Sequence, residues 1–96
     1  MRSDDLVQIA DLAWAGQHAE AIAQASLALV PVEQDLVHRI ALLDLRSESL
    51  VAEGRFVDAA ADADQMLLLA VTHRLPTQRV QALSRKALAL MRQGEV

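Results

Sequence analysis

The chain has 96 residues, 53% apolar and 23% charged, with 18 alanines and 16 leucines but one Phe, one Trp and no Tyr or Cys. That length allows one domain with a thin core, the composition excludes a disordered chain, and the missing cysteines exclude disulfide staples, thiolate zinc sites and thiol nucleophiles. The net charge of −4 is unevenly placed: residues 1–73 hold 4 Lys and Arg against 12 Asp and Glu, whereas residues 74–96 hold 5 against 1, a balance that disfavours nucleic acid as a partner.

Between three glycines and two prolines the residues are mostly strong helix formers, so five helices are predicted. The first runs over residues 4–15, capped by Ser3, with Leu6, Ile9, Ala10 and Ala13 inward and Gly16 as its left-handed stop. The second spans 18–30, burying Ala21, Ile22, Ala25, Ala28 and Leu29, and ends at Pro31. The third, the longest, starts near Val32 with Glu33 and Asp35 in its first turn, carries Leu36, Ile40, Leu43 and Leu50 on one face, and stops at Gly54. The fourth spans 56–72 with Phe56, Ala59, Ala60, Ala63, Met66, Leu67 and Ala70 on one broad face and Asp58, Asp62 and Gln65 opposite. The fifth opens at Pro76, carries Val80, Leu83, Ala87 and Leu90 as its packing face, and ends at Gly94. The longest apolar run, Met66–Val71, is six residues, against roughly 20 for a membrane span. No signal-peptide hydrophobic region can be drawn near the start, and a cytoplasmic location is the expectation.

The glycines at 16, 54 and 94 are separated by 38 and 40 residues, in the range of stacked helical pairs. Each is preceded at four residues by a leucine (Leu12, Leu50, Leu90), and the first two are followed at five and nine residues by alanines (Ala21 and Ala25, Ala59 and Ala63). Gly54-Arg55-Phe56 with Ala59, and Gly16-Gln17-His18 with Ala21 and Ala28, resemble the helix-turn-helix unit of the tetratricopeptide-repeat family. The periods exceed that family's usual 34, and His18 stands where Gly54's unit has Phe56.

The resemblance implies an all-α domain over residues 1–96: antiparallel pairs over 4–30 and 32–72 and a first helix over 76–93 of an incomplete third unit, stacked as a short right-handed solenoid. Gly16, Gly54, Phe56 and Gly94 are its structural turn residues. The irregular spacing is similar to that of repeats in bacterial signalling and regulatory proteins, and implies a piece of a longer protein.

The residues offer little chemistry. His18, His38 and His73 have no i, i+4 partner for a metal site, and no cofactor is expected. Asp58 and Asp62 form an i, i+4 carboxylate pair read as a solvated acidic surface rather than an acid–base pair. Arg74, Arg79, Arg85, Lys86 and Arg92 form a basic end that would suit an acidic partner surface, but the favoured reading is that cations near a helix C-terminus oppose its dipole, Arg92 especially. The expectation is therefore a non-enzymatic interaction or scaffold module, with a protein or peptide partner and no membrane. The alternative is an N-terminal sensory or dimerisation segment of a larger signalling enzyme or transcription regulator.

The resemblance puts a partner on a concave face near Gln8, Asp11, Arg39, Arg46 and Lys86. A second surface, through which a homodimer would form, is assigned to Leu68, Leu69, Val80, Leu83 and Leu90, because the end of an array leaves apolar side chains uncovered.

Overall fold

A computed structural model describes residues 2–94, and these form five α-helices: α1 (Arg2–Trp14), α2 (His18–Ala28), α3 (Leu36–Ala52), α4 (Phe56–Thr72) and α5 (Pro76–Gly94). No strand occurs among the described residues. Helix α3 is the hub. It packs against each of the other four helices, α1 lies against α2, and α4 lies against α5, while α2 and α4 make no close backbone approach to one another.

Three of the four connections use one turn. After α1, the Gly16 and Gln17 amides donate to the carbonyls of Ala13 (3.0 Å) and Leu12 (2.8 Å); after α3, Gly54 and Arg55 donate to Val51 (3.0 Å) and Leu50 (2.8 Å); after α4, Arg74 and Leu75 donate to Val71 (3.3 Å) and Ala70 (2.8 Å). This pairing satisfies the last carbonyls of each helix and needs one residue in the left-handed region. Gly16 (φ 81°), Gly54 (φ 76°) and Arg74 (φ 57°) supply it. Gly94 belongs instead to the last turn of α5, and Glu95 and Val96, the expected opening of a third unit, lie outside the described residues.

The fourth connection, residues 29–35, corrects two boundaries. Helix α2 ends at Ala28 rather than Val30: the Val30 amide donates to Leu27 O (3.2 Å), an i to i−3 bond that leaves the helical ladder, and beyond it Gln34 Nε2 donates to Ala28 O and Arg39 Nη1 to Leu29 O (3.0 Å) and Pro31 O (3.3 Å). Helix α3 begins at Leu36 rather than Val32, because Asp35 (φ −55°, ψ 130°) is in extended backbone and the helical run starts only after it, leaving Glu33 outside. Helix α1 starts at Arg2, so Ser3 lies within it rather than capping it.

The main core joins Ile9, Ala13, Ala21, Ala25, Leu29, Ile40, Leu42, Leu43, Met66 and Ala82; a smaller one joins Leu50, Val51, Ala59 and Ala89, with Phe56 and Ile22 packed against it. Nearly every predicted inward residue of α1 to α4 is buried or half-buried, although Ala10 is exposed. Two faces differ from expectation. Asp62 is 5% exposed and faces inward. On α5 the buried residues are Ala82 and Ala89, whereas Val80, Leu83, Ala87 and Leu90, the expected packing face, are exposed. Alanines at the contact let α5 lie close against its neighbours, and the larger side chains point away.

Candidate functional site

Helices α2 and α4 leave a gap floored by α3, a cleft of about 370 Å³ whose lining includes Ile22, Ser26, Arg46, Leu50, Arg55, Asp58, Asp62 and Gln65. Arg46 spans it. Its Nε and Nη2 donate to Asp62 Oδ2 (2.7 Å) and Oδ1 (2.6 Å), and its Nη1 donates to Ser26 Oγ (3.1 Å), which in turn donates to Ile22 O (2.8 Å). The hydrogen bond to Asp62, more than any other influence, raises the Arg46 pKa above the ordinary arginine range, against the cost of burial. A guanidinium fixed in its charged form and held at both prongs has no proton to exchange near neutral pH. At the rim, Arg55 and Asp58 make an exposed i, i+3 pair at 2.9 Å. The cleft is thus polar, but its charges are already matched.

Along α5 the same device recurs. Arg85 Nε donates to Asp44 Oδ1 (2.6 Å), Arg85 Nη2 reaches Glu48 Oε2 (2.8 Å), and Lys86 Nζ reaches Asp64 Oδ1 (2.8 Å). The bond to Asp44 is the main reason the Arg85 pKa is raised. Asp44 is 8% exposed, and its burial is tolerated because this partner is supplied from α5. Two further buried polar groups are matched as well: Ser47 Oγ donates to Ala59 O (3.0 Å), and Ser49 Oγ lies 3.1 Å from His18 Nδ1.

The five residues expected on one concave face are not gathered into one cleft. Gln8 and Asp11 line a shallow cleft of about 400 Å³ between α1 and α2, with Leu12, Ala15 and Gln24. It adjoins, through Gln24, a second of about 440 Å³ lined by Asp5, Glu20, Leu27 and Ala28. Arg39 holds the end of α2, Arg46 crosses the α2–α4 gap, and Lys86 is paired with Asp64.

The apolar residues assigned to association divide differently. Leu68 (67% exposed), Val80 (65%), Leu83 (46%) and Leu90 (50%) face outward, and Met91 (66%) joins them, whereas Leu69 is half-buried against the main core. Trp14, the only tryptophan, is 94% exposed at the end of α1, and Val7, one heptad earlier, is 58% exposed. Sequence reasoning passed over both. Their seven-residue spacing on the side of α1 opposite Ile9 and Ala13 was the available signal.

His18 and His38 sit on different helices and His73 follows α4. Among the described residues no group of three or more His, Cys, Asp or Glu side chains is placed to hold a metal ion, and no described helix is long and apolar enough to cross a membrane. No protein-family model matches the chain, and no curated protein or solved structure matches it either.

Proposed function

We propose that the chain is a non-catalytic protein–protein interaction module, built as a short right-handed stack of tetratricopeptide-like helix pairs and working in the cytoplasm. The observation that carries this reading is the apolar stripe that α5 turns to solvent, since a soluble monomer seldom leaves such a surface uncovered. The repeated turn at Gly16 and Gly54, each followed by a second helix that opens with His18 or Phe56, supports the paired architecture. The internally matched charges of the α2–α4 cleft favour recognition by surface over acid–base work.

Selection of a displayed random peptide library against the immobilised chain tests the reading. Sequences that bind the wild-type chain and lose binding to Leu83→Glu are expected. Failure to enrich any sequence above an unrelated helical control overturns it. The second reading, a sensory or dimerisation segment of a larger signalling protein, draws on the same stripe, with another subunit as its cover.

A further inference from the structure

We infer that this chain assembles head to tail with copies of itself, the exposed stripe of α5 in one copy seating in the groove along the outer side of the α1–α2 pair of the next. The inference rests on the interaction-module reading and names the partner.

The stripe is continuous. Val80, Leu83, Ala87, Leu90 and Met91 recur at three- and four-residue steps, the spacing by which one helix lays an apolar face into a groove between others. Its four large side chains leave on the order of 400 Å² in water, judged from their fractional exposures, already about the size of the largest patch on a typical monomer. That is about half of the ~800 Å² that each side of a standard interface buries. The flanking polar side chains would supply the rest.

At the other end of the molecule, the two adjoining clefts form a groove between α1 and α2. Leu12, Leu27 and Ala28 give it apolar surface, and Asp5, Asp11 and Glu20 line its walls. Leu27 is 72% exposed. The groove lies on the flank of α2 away from α3, because α3 takes the other flank through His18 and Ser26. Groove and stripe therefore occupy opposite ends of the stack.

Charge selects between the two ways of covering the stripe with a second copy. Residues 74–96 hold 5 Lys and Arg against one acid, and residues 1–73 hold 4 against 12. Arg74 and Arg79, exposed beside the start of the stripe, would meet acids in the α1–α2 groove but like charges if two α5 helices faced one another. The molecule already uses this chemistry: the inner side of α5 sits on α3 and α4 through Arg85 and Lys86 against Asp44, Glu48 and Asp64. The proposed contact repeats it with the outer side of α5 on the α1–α2 pair of another copy. Because the two patches differ, the contact does not close at two subunits, and repeating it gives a ring larger than a dimer or an open chain that lengthens with concentration.

Light scattering of the full chain over a concentration series tests this, with Leu83→Glu to block the stripe and Leu27→Glu to block the groove. Both sites are exposed, and unchanged helical circular dichroism verifies that each variant is folded. The wild-type mass is expected to climb past the dimer and fall back as salt rises from about 0.05 to 0.5 M, because exposed charges are screened over that range. Each variant alone should be monomeric, while an equimolar mixture should give a one-to-one dimer and nothing larger, since each supplies the patch the other lacks.

Arg79→Glu, which leaves the apolar contacts intact, should weaken assembly at least threefold, and adding Asp11→Lys should restore part of it. A dimer that Leu27→Glu leaves intact and Leu83→Glu abolishes would mean two-fold pairing through α5 and would overturn the proposal. A wild-type chain that stays monomeric to about 1 mM would overturn it too. Peptides selected in the same preparation would then show that the interaction reading survives without self-assembly.

Discussion

Arg74 occupies a position where the same turn elsewhere in this chain uses glycine, and replacing it gives a signed prediction. The three turns share their hydrogen-bond pattern, and only the residue in the left-handed region changes: Gly16, Gly54, Arg74. A left-handed conformation costs a side-chain-bearing residue ~1–2 kcal/mol, and glycine escapes that cost but returns ~0.5–1 kcal/mol through its freer unfolded chain. Arg74→Gly should therefore stabilise the fold by ~0.5–1 kcal/mol, a rise in Tm of ~3–6 °C for a domain of this size.

Arg74→Ala is the control. It removes the same charge and the same exposed side chain, but keeps the left-handed backbone strained. The assay is thermal unfolding followed by circular dichroism at a concentration low enough to hold the chain monomeric, with urea midpoints as a second reading. If Arg74→Gly fails to exceed Arg74→Ala, backbone strain at this turn is not the operative term. Gly54→Ala supplies the opposite sign. A Cβ there meets nothing within 4 Å, so no close helix contact requires glycine at this position. Its cost is conformational alone, about 1 kcal/mol, and larger for β-branched Gly54→Val.

Asp62→Ala should destabilise by ~2–3 kcal/mol in urea titration, below the 3–5 of a fully buried broken pair because Arg46 keeps 25% of its side chain in water. Asp62→Leu combined with Arg46→Met should recover most of that loss, and a double variant as unstable as the single would refute the pairing account. Arg85→Ala should cost ~2 kcal/mol by stranding buried Asp44, whereas Glu48→Ala, on the exposed side of the same guanidinium, should cost under ~0.5; equal losses would contradict this split. Ala89→Leu, at a position with no exposure, should cost ~1–3 kcal/mol by overpacking, read as a lowered Tm.

The raised pKa values of Arg46 and Arg85 give a pH prediction. A group whose folded-state pKa is raised contributes stability that is complete below its unfolded value and lost only above it. Urea midpoints should therefore owe no change to these two groups between about pH 7 and 10. Over that same range, variants lacking either arginine should track the wild-type pH profile at a lower level.

Helix content, the two glycine turns and the inward faces of α1 to α4 were legible because each rests on local rules: helix formers between breakers, glycine where φ is positive, apolar residues at helical spacing. What escaped depended on partners distant in sequence. Asp62 reads as surface until Arg46, 16 residues earlier, is seen to reach it, and the α2 end reads as Val30 until Arg39 and Gln34 are seen to take its carbonyls. The Arg74 turn was hidden because glycine was the signal sought. Of the expected partner surface, only Gln8 and Asp11 share a cleft, since Arg39, Arg46 and Lys86 hold the fold together.

The rotation of α5 is where hydrophobic periodicity misleads most. The axis through Ala82 and Ala89 and the centre of the Val80–Met91 stripe lie roughly 140° apart on the helix. Turning α5 by that angle would bury the stripe, and fully burying a large apolar side chain is worth about 1.5–3 kcal/mol. The same turn would carry Arg85 away from Asp44 and Glu48, and Lys86 away from Asp64, leaving Asp44 charged among α3 and α5 without a partner. It would also push leucines into a contact sized for alanines. Ion pairs and small residues thus fix the helix in an orientation that area burial alone would not choose. A local rule broken and held broken by specific contacts is where a functional or strained site is to be sought. On that ground the outward stripe, more than the polar α2–α4 cleft, is the part of this chain to which a partner should be assigned.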